Sequence, residues 1–176
     1  MGLAALGAYA VYESKAGNRP AALEAAARAV AIRRELVAAN REAFLPDLAM
    51  SLNNQANRQS EMGKRAEALA SIEEAVKHYR ELVAANREAF LPDLALSNGT
   101  WGKVLLAAGD SRGAVAKFAE GIRLITPFAH DLPQAHFPLA LRLSRAYVQA
   151  CETAGVAPEA DLNWPLEIAK RLEQEA

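Results

Sequence analysis

The chain is 176 residues long and 52 % hydrophobic, with 20 basic residues against 21 acidic ones and a net charge of −1. That length holds one domain or one short array of stacked units, and the balanced charge lacks the basic field with which nucleic-acid binders displace counterions from phosphates. A single cysteine, Cys151, excludes an internal disulfide framework and fits a reducing, cytoplasmic setting, where it reads as a buried structural thiol on an apolar helix.

The opening MGLAALGAYAVYESK carries no Lys or Arg ahead of its apolar stretch. That stretch, about twelve residues, is too short to span a bilayer. Leu6 stands where a myristoylation signal needs Ser or Thr. The segment is expected to be a packed first helix, with Tyr9 as one of its core anchors. Next comes Gly17, then Asn18 and Pro20, a capping oxygen and a residue suited to a first helical turn.

The chain then spells RELVAANREAFLPDLA over residues 34–49 and spells it again over residues 80–95, a displacement of 46. The displacement runs through the chain. Gly17, Gly63, Gly109 and Gly155 fall one period apart, and each is followed five residues later by alanine: Ala22, Ala68, Ala114 and Ala160. Ala26, Ile72, Phe118 and Trp164 share a further phase, as do Ala29, Ala75, Gly121 and Glu167. A glycine between two helical patterns is where one helix stops and the backbone turns with positive φ. An alanine shortly afterwards lets two helix backbones approach closely. Asp110 and Ser111 supply capping oxygens at the third turn, and Pro158 suits the first turn of a helix after Gly155. The unit is therefore a helical hairpin.

Between hairpins lies NREAFLPD. Asn40 and Asn86 are expected to end a long helix, Pro46 and Pro92 to begin the next, and Asp47 and Asp93 to place carboxylates at its positive end. The expected breaks are near residue 17, residues 40–46, residue 63, residues 86–92, residue 109, residues 127–133 and residue 155. Phe44-Leu45 and Phe90-Leu91 would plug the joints.

The run GKRAEALASIEEAV resembles the turn and second helix of a tetratricopeptide repeat, and SLNNQANRQSEMG resembles its first helix. The period exceeds the usual 34 residues, as in the extended repeats of kinesin light chains. The LNN start and the AFLPDLA joint are similar to arrays at the C-terminal ends of large bacterial signalling NTPases of the STAND type. The resemblance implies an all-α fold, a right-handed α-solenoid of about four antiparallel hairpins, and a protein-interaction role. The expected units are residues 1–45, 46–91, 92–137 and 138–176, with Pro165 interrupting the last helix and Glu167 marking a terminal cap.

Chemistry is sparse. His130, Asp131 and His136 in HDLPQAH match no helical zinc spacing and are read as structural or solvated side chains in a connector. EMGKR lacks the first glycine and the hydroxyl residue of a phosphate-binding loop. No catalytic residue, metal or cofactor is expected. Glu73, Glu74, Lys77 and Arg80 sit at helical neighbour spacings on an expected solvated face. Gln55 and Gln59 stand at positions where core leucines are usual and are expected to pair with each other or with backbone, whereas Trp101, Leu105 and Tyr147 read as core anchors.

Family resemblance places first helices on the inner side of the array. There Asn53, Asn57 and Glu61 fall at i, i+4 and i+8 with Asn54 beside them, and matched positions give Lys103, Arg145 and Gln149. This constellation predicts a groove for a protein or a short, extended, acidic peptide. The expected function is a non-catalytic scaffold, the sensor or assembly region of a larger bacterial signalling protein, without nucleic-acid or membrane partners. The alternative is self-association through an apolar flank of the first repeat.

Overall fold

The computed structural model describes residues 18–174. Over that span it contains seven α-helices and one 3₁₀ turn, and no strand among the described residues: α1 Arg19–Ala39, α2 Arg41–Glu61, α3 Arg65–Ala85, α4 Arg87–Ala108, α5 Ser111–Asp131, α6 Pro133–Ala154, the 3₁₀ turn Ala160–Leu162, and α7 Trp164–Gln174. The chain divides into two compact units at the boundary between Asn86 and Arg87. The Gly17 turn and the Tyr9 anchor lie outside the described residues.

The glycine turns form as their phase requires. Gly63, Gly109 and Gly155 have φ of 72°, 91° and 67°, and among the described residues no other residue type adopts positive φ. The amide following each glycine reaches back to the carbonyl five residues earlier: Lys64 to Gln59 at 2.9 Å, Asp110 to Leu105 at 2.9 Å, and Val156 to Cys151 at 3.0 Å. This is the six-to-one closure that satisfies the last carbonyls of a helix. On the far side, Asp110 caps α5 by accepting from the Gly113 amide at 2.8 Å, and Asn18 caps α1 by accepting from Ala21 at 3.4 Å.

The alanines in phase with these turns are sealed: Ala22, Ala68 and Ala114 have no exposed surface. In the first unit Leu45, Leu48, Leu52, Ile72, Val76 and Tyr79 form the core, and in the second Phe118, Ile122, Ile125, Leu143 and Tyr147 do so. Large and small residues alternate across the second core. A Cβ added to Gly102 would lie 2.8 Å from three atoms of the Phe118 ring, and one added to Gly121 would lie 3.0 Å from the Ala95 carbonyl oxygen. Gly102 is thus the complement of Phe118, whose counterpart one period earlier is the smaller Ile72.

The joints differ from expectation. Helix α2 begins at Arg41, directly after Asn40, so the break is one residue wide. Asn40 serves both helices from an extended conformation (φ −151°, ψ 94°): its amide donates to Leu36 at 2.8 Å, and its side-chain oxygen accepts from Ala43 at 3.2 Å. Asn86 repeats the first half of this with an amide bond to Leu82 at 2.8 Å. Pro46 and Pro92 therefore lie inside helices rather than starting them. In the sixth helical position each forfeits a single ladder bond. The same correction applies at Leu132, the one-residue break between α5 and α6, which leaves Pro127 and Pro138 within helices. Pro138 follows Pro46 and Pro92 in period, so the joint is copied a third time under altered letters. Leu45 and Leu91 are buried at these positions and Phe44 is half-buried.

The acidic residues of the first turns are Glu42 and Glu88, not Asp47 and Asp93. Asp93 is half-buried, and desolvation holds its carboxyl above the ordinary carboxylate range. A folded-state pKa above the unfolded value gives a contribution to stability that is present below the unfolded pKa and lost as pH rises through the folded one. Asp93→Asn should therefore gain stability relative to the parent at pH 7 and lose that advantage near pH 3, as read from paired urea titrations.

The last hairpin departs most. Ala160 lies exposed in the 3₁₀ turn, Pro158 precedes that turn rather than opening a helix, and Pro165 is the second residue of α7 rather than an interruption. Leu162, 2 % exposed, fills the core beside Tyr147. The Ser144 hydroxyl donates to the Leu162 carbonyl at 3.0 Å, and the Tyr147 hydroxyl accepts from the Glu159 amide at 3.0 Å. Those two bonds dock the segment that replaces the expected start of the final helix.

Candidate interaction surface

In the first unit the sequence-predicted residues lie on α2. Asn53 is 7 % exposed and its side-chain oxygen has no hydrogen-bond partner, whereas its backbone carbonyl accepts from the Asn57 side-chain Nδ2 at 3.2 Å. Asn57 is half-buried and Asn54 exposed. The spacing i, i+4 is thus consumed partly by a bond within the helix. Gln59 is also buried, and its side-chain oxygen lacks the partner expected for it, while Gln55 is half-buried.

In the second unit Lys103 on α4, and Arg145 and Gln149 on α6, complete the predicted set, with Lys103 and Arg145 exposed. The structure brings Lys103 together with Arg142 of α6, a residue the spacing argument missed. Burial pushes the Lys103 ammonium below its ordinary range, and the nearby Arg142 charge pushes it in the same direction. Between them lies a crevice of about 20 Å³, floored by Gly99, Thr100, Phe118, Leu143 and Ala146. None of Lys103, Arg142 or Arg145 is paired with a carboxylate among the described residues. Arg142 was hidden because its counterparts one and two periods earlier are Leu96 and Met50. The available signal was the i, i+3 spacing of Arg142 and Arg145, and the exposure of Leu96 (37 %) and Met50 (44 %) shows the phase to be an open one.

Other singled-out residues take structural roles. His130 and Asp131 end α5 and His136 lies in the first turn of α6, so HDLPQAH is helical apart from Leu132 and is not a loop. His130 stacks on Trp164 with centroids 4.7 Å apart, and His136 meets Phe128 edge-on at 5.6 Å. No three His, Cys, Asp or Glu side chains among the described residues are gathered as a metal would require. Cys151 is fully buried and desolvation raises its thiol pKa, which disfavours the reactive thiolate. Trp101 is half-buried beneath the Lys117 ammonium, 4.0 Å from the ring centroid. Glu74 pairs with Arg34 at 2.6 Å, and Glu73 and Lys77 lie on the outward side of the same helix, Glu73 exposed.

Helical hairpins of constant period, closed by glycine and spaced by alanine, define a TPR-like helical-repeat protein. Comparison with solved structures supports that class. The chain is similar to the nearly identical TPR-like repeats of a Podosopora anserina protein described as a kinesin light chain, with a TM-score of 0.64 at 18 % identity over 98 % of this chain and 75 % of that one. A single-substitution variant of the same repeats gives a TM-score of 0.67, with the same identity and coverage. No protein-family model and no curated protein matches the chain. Among the described residues no helix is long and apolar enough to cross a membrane. Stacked repeats of this kind build extended surfaces from successive units.

Proposed function

We propose that the chain is a non-catalytic scaffold that binds a protein segment or a short, extended, acidic peptide along its first helices. The observation that carries this reading is the pair Lys103 and Arg142. Two like charges held close enough to perturb each other are unfavourable unless an anion answers them. Arg145 and Gln149 extend the patch along α6. In the other unit the exposed Asn54 and the half-buried Asn57 offer side-chain amides suited to reading a peptide backbone. The joint AFLPDLA and its likeness to STAND-type arrays support a place in the sensor or assembly region of a larger bacterial signalling protein, in the cytoplasm.

Peptide display followed by calorimetry tests the reading. Enriched peptides should carry Asp or Glu. Reversing two exposed charges, each worth a fraction of a kcal/mol to about 1 kcal/mol, should weaken acidic ligands on the order of tenfold in Lys103→Glu/Arg142→Glu. The salt dependence should flatten in the same variant. Peptides that bind parent and variant alike would place the binding surface elsewhere. Self-association through the first repeat rests on residues outside those described; a strict monomer across a light-scattering concentration series would remove it.

A further inference from the structure

Within the first unit, α1 and α3 are tied by Arg34–Glu74 at 2.6 Å, and α2 and α3 by Arg41–Glu81 at 2.7 Å. Two periods later the corresponding residues are Thr126 with Leu166 and Pro133 with Glu173, which form no such pairs. In place of that ion-paired closure the second unit has an open cleft of about 390 Å³ between the end of α5, the start of α6 and α7. Its walls are chiefly Phe137, Trp164, Ile168 and Leu172, with His130 and Gln134 as the polar groups.

The aromatic wall is held in place. Trp164 lies between His130, stacked at 4.7 Å and 25°, and Phe137, tilted at 5.9 Å. Its indole N–H donates to the Thr126 hydroxyl at 3.2 Å, and that hydroxyl donates to the Ile122 carbonyl at 2.8 Å. The indole is therefore fixed and has no donor left for a ligand. His130 and Gln134 make no side-chain hydrogen bond among the described residues, so they are the groups free to orient one. Leu172, although apolar, is 58 % exposed at the cleft wall.

We propose that this cleft is a binding site for a small, uncharged aromatic molecule. The volume falls in the range of small-ligand pockets, and a mostly apolar lining with a few polar groups is the composition of such sites. Aromatic walls favour an offset or edge-on ring. With no carboxylate, ammonium or guanidinium on its walls, the cleft disfavours an ionised ligand. The site is independent of the Lys103 and Arg142 patch.

The neutral probe N-phenyl-1-naphthylamine, titrated into the full chain carrying Trp101→Phe, tests this. Saturable fluorescence with one-to-one stoichiometry is expected, accompanied by quenching of Trp164. Leu172→Asp changes an exposed residue and should weaken the probe at least tenfold, whereas Met50→Asp in the other unit should leave it unchanged. The proposal is overturned by a probe signal that does not saturate, by Leu172→Asp titrating like the parent, or by probe binding that vanishes as the chain self-associates at higher concentration. The last result would make a second copy the occupant.

Discussion

Phe118→Ala should destabilise the second unit by about 3–5 kcal/mol, the range for removing a buried aromatic from a packed core. Phe118 has no exposed surface, and its ring edge fills the space opened by Gly102 on the facing helix. A cavity made there has poor means of collapse, because Gly102 offers no side chain to move into it. Marginal domains carry only about 5–15 kcal/mol in total. Denaturant unfolding followed through Trp101 and Trp164, both in this unit, should show a lower midpoint with little change in slope. A midpoint within experimental error of the parent would mean that Phe118 and Gly102 do not interlock. The compensating pair Gly102→Ala with Phe118→Leu should recover part of the loss, since the added methyl and the shortened side chain exchange volume at one contact.

Ala68→Leu should lower stability by about 1–3 kcal/mol through overpacking. Ala68 is fully buried in the first turn of α3, so a larger side chain there must displace packed neighbours. Lys77 lies on the outward side of the same helix, and Lys77→Ala should change stability by less than about 0.5 kcal/mol. Equal midpoints for the two variants would invert the assignment of inner and outer faces.

The parts of the fold legible in the sequence are those where one residue type alone meets a backbone or packing requirement. Gly63, Gly109 and Gly155 announce positive φ, and Ala68 and Ala114 announce close approach, so their phase located the turns and the hairpins. The joints misled because proline has two readings. Pro46 is common at a helix start, yet it is tolerated one turn further on when only a single ladder bond is forfeited. Asn40 carried the true signal, a side chain that caps the helix after it while its amide closes the helix before it. The third break falls at Leu132, inside the expected residues 127–133, but its kinship with the other two joints was hidden because Leu132 has no capping side chain and Phe137 replaces leucine. In the candidate site, Lys103, Arg145 and Gln149 followed from register, but Arg142 did not, since its counterparts are apolar. Asn53 was over-read as open: helical spacing places it on the stripe but does not report that neighbouring side chains cover it.

The one-residue joints at Asn40 and Leu132 restrict how such a chain can change its length. Between helices that abut across a single residue there is no slack, and inserting or deleting one residue turns the helix that follows by about 100° around its axis. A core leucine such as Leu45 would then face water. The glycine turns, exposed and without a neighbour near the missing Cβ of Gly63, Gly109 or Gly155, can absorb an extra residue as surface loops do. Length variation that preserves the array is thereby confined to those turns or to whole repeats, and a library of insertions should keep folded members only at such places.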